Sequence, residues 1–200
     1  PSCLRGPYAQ PLIYPSPAHW SMKGIRGVLA QRNLREVQGI VEKALIEYVD
    51  ERSEDPAMKY AKDILLAGGK RFRPVLGCLA YEAAGATLDD KMLRTALSAE
   101  IIHTATLVHD DIYDQAKLRR GRPTLHSQHG IAHGIISGDY LFTLGYWLGA
   151  EQGPEVIKVL AETCIGLANG ELLQFDHIGD LGTSPEDYLS LIHISEPTRP

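Results

Sequence analysis

From Asn33 onward, apolar residues recur at helical spacing, with no sustained two-residue alternation and no strand-turn-strand signal. The pattern predicts an all-α domain. Asn33, followed three residues later by Glu36, resembles a capping box, and Val37, Ile40, Val41, Ala44, Leu45, Tyr48 and Val49 then mark one helix face. Asp55 and Pro56 suit the N-cap and first position of a second helix that stops at Gly68 and Gly69. Pro74 opens a third, closing near Gly85. The stretch from Asp89 to Asp114 is the candidate central helix: small and apolar residues fill most of its circumference from Leu93 to Val108, which predicts burial. Helices are also expected over Ile131 to Ala150 and Pro154 to Ile178, and Ser184 with Pro185 starts another.

The two ends break this pattern. Residues 1–21 are rich in proline, carry no helical period and precede the first methionine, Met22, so they are expected to be a non-native or disordered leader. Leu191 to Pro200 departs abruptly from the amphipathic pattern and resembles sequencing-adapter read-through, an expected non-native tail. The interpretable domain is therefore 22–190.

Composition narrows the function. With 200 residues, 44% of them hydrophobic and 22% charged, the chain has material for a single core. The formal net charge of -5 gives no whole-chain basic field for nucleic acid or an anionic membrane, so phosphate binding has to be local. Cys3, Cys78 and Cys164 are odd in number and far apart, which argues against a disulfide framework or a zinc cage and fits a reducing cytoplasm. No apolar run reaches the roughly 18 to 20 residues of a membrane helix.

Three carboxylates, Asp110, Asp111 and Asp114, sit at the end of the most apolar helix, with Asp110 and Asp114 one turn apart. Like charges this close need a cation, and hard oxygen ligands select Mg²⁺ or Ca²⁺; the other reading is a solvated acidic helix end. Arg119, Arg120 and Arg122 follow in Arg119-Arg120-Gly121-Arg122-Pro123-Thr124, a turn that sets guanidinium forks beside the carboxylates, either as a diphosphate clamp or as an internal ion-pair network. A second basic group, Gly68-Gly69-Lys70-Arg71-Phe72-Arg73-Pro74, lies at a helix junction where backbone amides add positive potential. His103 lies about two turns before Asp110 on the same side of the helix. His129 and His133 have zinc-pair spacing but lack the adjacent glutamate and a third ligand, and are read as structural. No G-x-S-x-G, Walker loop or G-x-G-x-x-G occurs, which leaves acyl transfer and nucleotide binding without support.

In order along the chain, GGKRFRP at 68–74, IHTATLVHDDIYD at 102–114, RRGRPT at 119–124, GDYL at 138–141 and GELLQ at 170–174 closely resemble the trans-prenyltransferases, the polyprenyl diphosphate synthase family. The resemblance implies an all-α bundle around a central cavity, a homodimer, and two facing Asp-rich motifs holding three Mg²⁺ ions on an allylic diphosphate. Ionisation of that substrate would give an allylic cation attacked by isopentenyl diphosphate. By matching position, Asp110 and Asp114 would bind Mg²⁺ with Asp111 assisting, and Arg119 would contact the allylic diphosphate. Lys70, Arg73, His103 and Arg120 would hold isopentenyl diphosphate, and Gln174 would line the cavity near the allylic chain.

Ala105 lies five residues before Asp110, about 7.5 Å down the helix axis. With Thr106 beside it, no aromatic plug stands where short-chain members carry one, so the resemblance implies a long-chain product, as in octaprenyl diphosphate synthases. After Tyr188 the second Asp-rich motif is absent from this sequence, which implies an incomplete metal site and an inactive chain on its own. A terpene cyclase shares D-D-x-x-D but needs no pocket of Lys70, Arg73 and His103; a non-catalytic subunit of a heteromeric synthase would have no need of intact Asp110, Asp111 and Asp114.

Overall fold

The computed structural model describes residues 33–180, 182–186 and 189; the expected leader, Cys3, Tyr188 and the expected tail lie outside them. The described part is all-α, with seven helices and one two-residue β-ribbon.

Helix α1 (Leu34–Glu51) starts at the expected capping box: Asn33 Oδ1 accepts from the Glu36 amide and Glu36 Oε2 from the Asn33 amide, both at 3.0 Å. Its apolar face buries Val37, Val41, Leu45, Tyr48 and Val49. Helix α2 (Met58–Leu65) begins later than Asp55 and Pro56 suggested. The Asp55 carboxylate accepts a 2.7 Å hydrogen bond from the Tyr140 hydroxyl instead of capping, so a tertiary tie displaces the local one. Helix α3 (Phe72–Ala83) opens two residues before Pro74, which the first turn tolerates because its amide would lack a helical partner there.

Helix α4 (Asp90–Tyr113) has the predicted bounds, with the Asp89 side chain accepting from the Met92 amide at 2.8 Å. A hairpin follows: β1 (Leu118–Arg119) pairs antiparallel with β2 (Arg122–Pro123), Arg119 opposite Arg122. Arg120 and Gly121, with φ 52° and 77°, turn it, the left-handed pair that a two-residue hairpin demands. Gly121 thus serves the turn. The ribbon and the short helix α5 (Leu125–His129) were not foreseen. Helices α6 (Ile131–Ala150) and α7 (Pro154–Asp176) match the expected spans, and Pro185 and Glu186 are helical as anticipated.

Helix α4 is the hub. Its Ala96, Leu97, Ile101, Ala105 and Val108 join a buried cluster with Val41 and Leu45 of α1, Leu65 of α2, Val75 and Cys78 of α3, and Leu141, Leu144 and Leu148 of α6. The closest packing is between α4 and α6. Ser98 Oγ donates to the Gly145 carbonyl at 2.8 Å, and a Cβ on Gly145 would stand 2.5 Å from Ile102 Cγ1 and 3.1 Å from the Ser98 carbonyl oxygen. Gly138 leaves room for the His109 imidazole, whose Nε2 lies 3.2 Å from the Ile135 carbonyl and 3.6 Å from Asp139. The GDYL segment therefore locks α6 to the acidic end of α4 through Gly138 and Asp139, and to the turn before α2 through Tyr140. His129 and His133 stack against Tyr60, with ring centroids at 5.1 and 5.0 Å, a packing role.

Gly145→Ala is expected to destabilise the fold by about 1–3 kcal/mol, because overlap with Ile102 and the Ser98 backbone outweighs the better helix propensity of alanine. Urea unfolding measures it.

Candidate active site

A cavity of about 920 Å³ opens between the α2–α3 loop, one face of α4 and the hairpin. The α4 face consists of Glu100, His103, Thr104, Leu107 and Asp111, successive i, i+3 and i+4 positions of one helical stripe. The loop supplies Gly68, Gly69, Lys70, Arg71 and Arg73, and the hairpin Arg119, Arg120 and Arg122.

Two carboxylates on the wall are neutralised by dedicated arginines. Arg119 Nε donates to Asp111 Oδ1 at 2.7 Å, and Arg71 Nη1 donates to Glu100 Oε1 at 3.0 Å. Arg71 also donates from Nε to Glu42 Oε1 at 2.7 Å and from Nη2 to the Leu65 carbonyl at 2.6 Å. Burial alone would depress its basicity, but the hydrogen bonds to Glu42 and Glu100 outweigh that and hold its pKa above the ordinary arginine value. Arg71 adopts φ 46°, a conformation costing a residue with a side chain about 1–2 kcal/mol. Its side chain must therefore supply what glycine there would not.

Among the described residues, Lys70, Arg73, Arg120 and Arg122 have no carboxylate within ion-pair distance. They leave the cavity positive within a chain whose net charge is -5. Arg120 Nη1 donates to the Gly68 carbonyl at 2.8 Å, which ties the hairpin tip to the glycine loop. Arg73 Nη1 lies 3.1 Å from His103 Nε2. Since a guanidinium only donates, Nε2 accepts and His103 is the neutral Nδ1–H tautomer. Burial, followed by the charges of Arg73, Arg120 and Arg119, lowers its pKa from 6.5 to about 4.

The helical period splits the three aspartates. Asp111 is buried on the cavity face, while Asp110 and Asp114 look toward α7. There Asp110 accepts from the Tyr113 hydroxyl at 2.5 Å, and the Tyr113 ring meets Phe175 edge-on at 5.3 Å. Burial raises the Asp110 pKa; the Tyr113 hydrogen bond and Arg119 oppose this, and Asp114 and Asp111 add to it. Glu171 on α7 is raised too, by burial and then by Asp110 and Asp114. Among the described residues no three His, Cys, Asp or Glu side chains converge into a ready metal cage.

The cavity thus brings together Lys70, Arg73, His103, Asp111, Arg119 and Arg120 from three separate segments. Asp110 and Asp114 stand on the adjoining face. Thr106, one turn before Asp110, is half-buried and its hydroxyl donates to the His103 carbonyl at 2.8 Å. Ala105 is fully buried in the core, and Gln174 is exposed and outside the cavity lining. Sequence reasoning missed Arg71, Glu42, Glu100 and Glu171. Glu100 had a signal, a charge midway along an otherwise apolar helix that demands a buried partner; Glu171 stood within the GELLQ motif, of which only Gln174 was singled out.

The polyprenyl synthetase family model matches residues 55–194. The chain belongs to the polyprenyl synthetase family. It is 35% identical over 131 residues to the octaprenyl diphosphate synthase of Escherichia coli (strain K12), covering 65% of this chain and 40% of that protein. Similarity to the chloroplastic solanesyl-diphosphate synthase 2 of Oryza sativa subsp. japonica is 35% over 144 residues, covering 68% and 36%. A solved polyprenyl synthase from Caulobacter crescentus CB15, complexed with calcium and isoprenyl diphosphate, superposes with a TM-score of 0.70 at 30% identity, covering 82% of this chain and 52% of that one. The chain spans about half or less of the length of these family members. No described helix is long and apolar enough to cross a membrane.

His103 should titrate near 4 by ring-proton NMR, and a midpoint near 6.5 would contradict the described surroundings. Because the unfolded ring takes its proton first as pH falls, the His103 contribution to stability is complete above 6.5 and is lost between 6.5 and about 4. His103→Gln should flatten the fall in unfolding free energy across that window.

Proposed function

We propose that the chain provides the isopentenyl diphosphate site and the first acidic motif of a Mg²⁺-dependent prenyltransferase, the whole protein condensing an allylic diphosphate with isopentenyl diphosphate. The observation that carries this reading is the cavity in which Lys70, Arg73 and Arg120 stand without carboxylate partners around a neutral His103. A terpene cyclase has no use for such a site. Lys70, Arg73 and Arg120 bind the isopentenyl diphosphate oxygens, and the Arg119 guanidinium, held by Asp111, faces the allylic diphosphate. His103 stays neutral while Arg73 is beside it, so the incoming anion meets donors without an extra titrating charge.

The acidic face fits Mg²⁺ by its donor set: Asp110 and Asp114 offer only hard oxygens, and burial with mutual repulsion raises Asp110, a tension that a cation relieves. An open pair of carboxylates suits Mg²⁺, which keeps waters and takes one or two carboxylates plus substrate phosphates. When bound, the metal supplies Lewis acidity to the leaving diphosphate. Asp110 and Asp114 hold that position, and Asp111 fixes Arg119 beside it.

The product is a long-chain all-trans polyprenyl diphosphate in this reading. Thr106 carries that part of the argument, since it is the residue on the Asp110 face, and it presents no aromatic plug.

Calorimetric titration of the chain with isopentenyl diphosphate and with inorganic pyrophosphate, each with and without Mg²⁺, tests the reading. Lys70→Ala and Arg73→Ala should each weaken isopentenyl diphosphate by roughly ten- to a hundredfold, the worth of a charge-assisted hydrogen bond. Asp110→Asn with Asp114→Asn should abolish only the Mg²⁺-dependent part of pyrophosphate binding. Binding that ignores Lys70 and Arg73 would overturn the assignment.

A further inference from the structure

We propose that Arg71 is the positioning residue of this anion site: gripped by Glu42, Glu100 and the Leu65 carbonyl, it sets the angle at which Lys70 and Arg73 enter the cavity without being a diphosphate ligand itself. The inference rests on reading the cavity as the isopentenyl diphosphate site.

The Arg71 side chain is 4% exposed, and its fork is already committed: two hydrogen bonds reach Glu42, one Glu100 and one the last carbonyl of α2. A guanidinium so engaged has little left to offer a phosphate. Those partners belong to α1, α4 and α2, so one side chain ties three helices to the residue whose left-handed backbone starts α3. Glycine would take that backbone conformation without strain, as Gly68 and Gly69 do at positive φ just before Lys70. What distinguishes Arg71 is therefore the anchor.

The anchor has a geometric consequence. Arg71 meets Glu100 and Arg73 meets His103, two points one turn apart on the same stripe of α4. The loop is pinned to α4 at both, and Lys70, which has no carboxylate within ion-pair distance among the described residues, lines the cavity from between the pinned residues and the glycine pair. The same contact neutralises Glu100 on the cavity wall, so the nearest buried carboxylate does not repel an incoming anion.

Glu42 supplies the discriminating variant, because it holds Arg71 from outside the cavity lining and its side chain is 31% exposed. Pyrophosphate binding to the chain, to Arg71→Lys and to Glu42→Gln is measured by calorimetry, alongside the His103 titration by NMR and thermal melting. By charge alone, Glu42→Gln removes a negative group and should tighten anion binding. Positioning predicts the opposite sign: a loss of about threefold for Glu42→Gln and about tenfold or more for Arg71→Lys, which keeps the charge and loses the fork. His103 should rise from about 4 as Arg73 leaves it. If Arg71→Lys melts at the assay temperature, Glu42→Gln carries the test. Unchanged or tighter binding in Glu42→Gln, or a His103 midpoint that stays near 4, overturns the positioning role while leaving the site reading intact. A parent chain that binds no pyrophosphate overturns both.

Discussion

Burying charge along one helix is the constraint on which the rest of the structure depends. Helix α4 packs against α1, α2, α3 and α6, yet it carries Glu100, His103, Asp110 and Asp111. A buried carboxylate without a partner costs several kcal/mol, and removing one member of a buried pair typically costs about 3–5 kcal/mol. The fold answers residue by residue: Glu100 receives Arg71, Asp111 receives Arg119, His103 receives Arg73 and Asp110 receives Tyr113. The hairpin delivers Arg119, and the α2–α3 loop with the first turn of α3 delivers Arg71 and Arg73.

This solution also separates two kinds of cation in the cavity. Arg71 is committed to internal carboxylates and Arg119 holds Asp111 through Nε alone, while Lys70, Arg73, Arg120 and Arg122 line the cavity with no carboxylate within ion-pair distance among the described residues. Helical geometry then divides the chemistry of α4 between two faces, a basic cavity on the Asp111 side and an acidic surface on the Asp110 and Asp114 side, facing Glu171. In the proposed reading, a diphosphate at the first face would lie beside a diphosphate at the second, the adjacency that a condensation of two diphosphate substrates requires.

The sequence made the long elements legible because their signals are local. The Asn33 capping box, the span of α4 and its apolar circumference all appear where the pattern put them. Departures occur where a distant partner competes. Asp55 had the identity of a cap, but Tyr140, far along the chain, claims its carboxylate. The ribbon at Leu118–Arg119 and Arg122–Pro123 is too short to show alternation. In the candidate site, motif spacing located the right segments but not which of several basic side chains turns inward, so Arg71 was indistinguishable from its neighbours. Along α4, five residues carry a position about 140° around the helix from Asp110, whereas four bring it to within about 40°. Ala105 consequently lies in the core and Thr106 on the acidic face.

The most direct measurement is a crystal structure of this chain grown with isopentenyl diphosphate. The account predicts diphosphate oxygens within hydrogen-bond distance of Lys70, Arg73 and Arg120, with Arg71 still on Glu42 and Glu100. Diphosphate seated instead on the face of Asp110, Asp114 and Glu171, with the basic cavity empty, would contradict it.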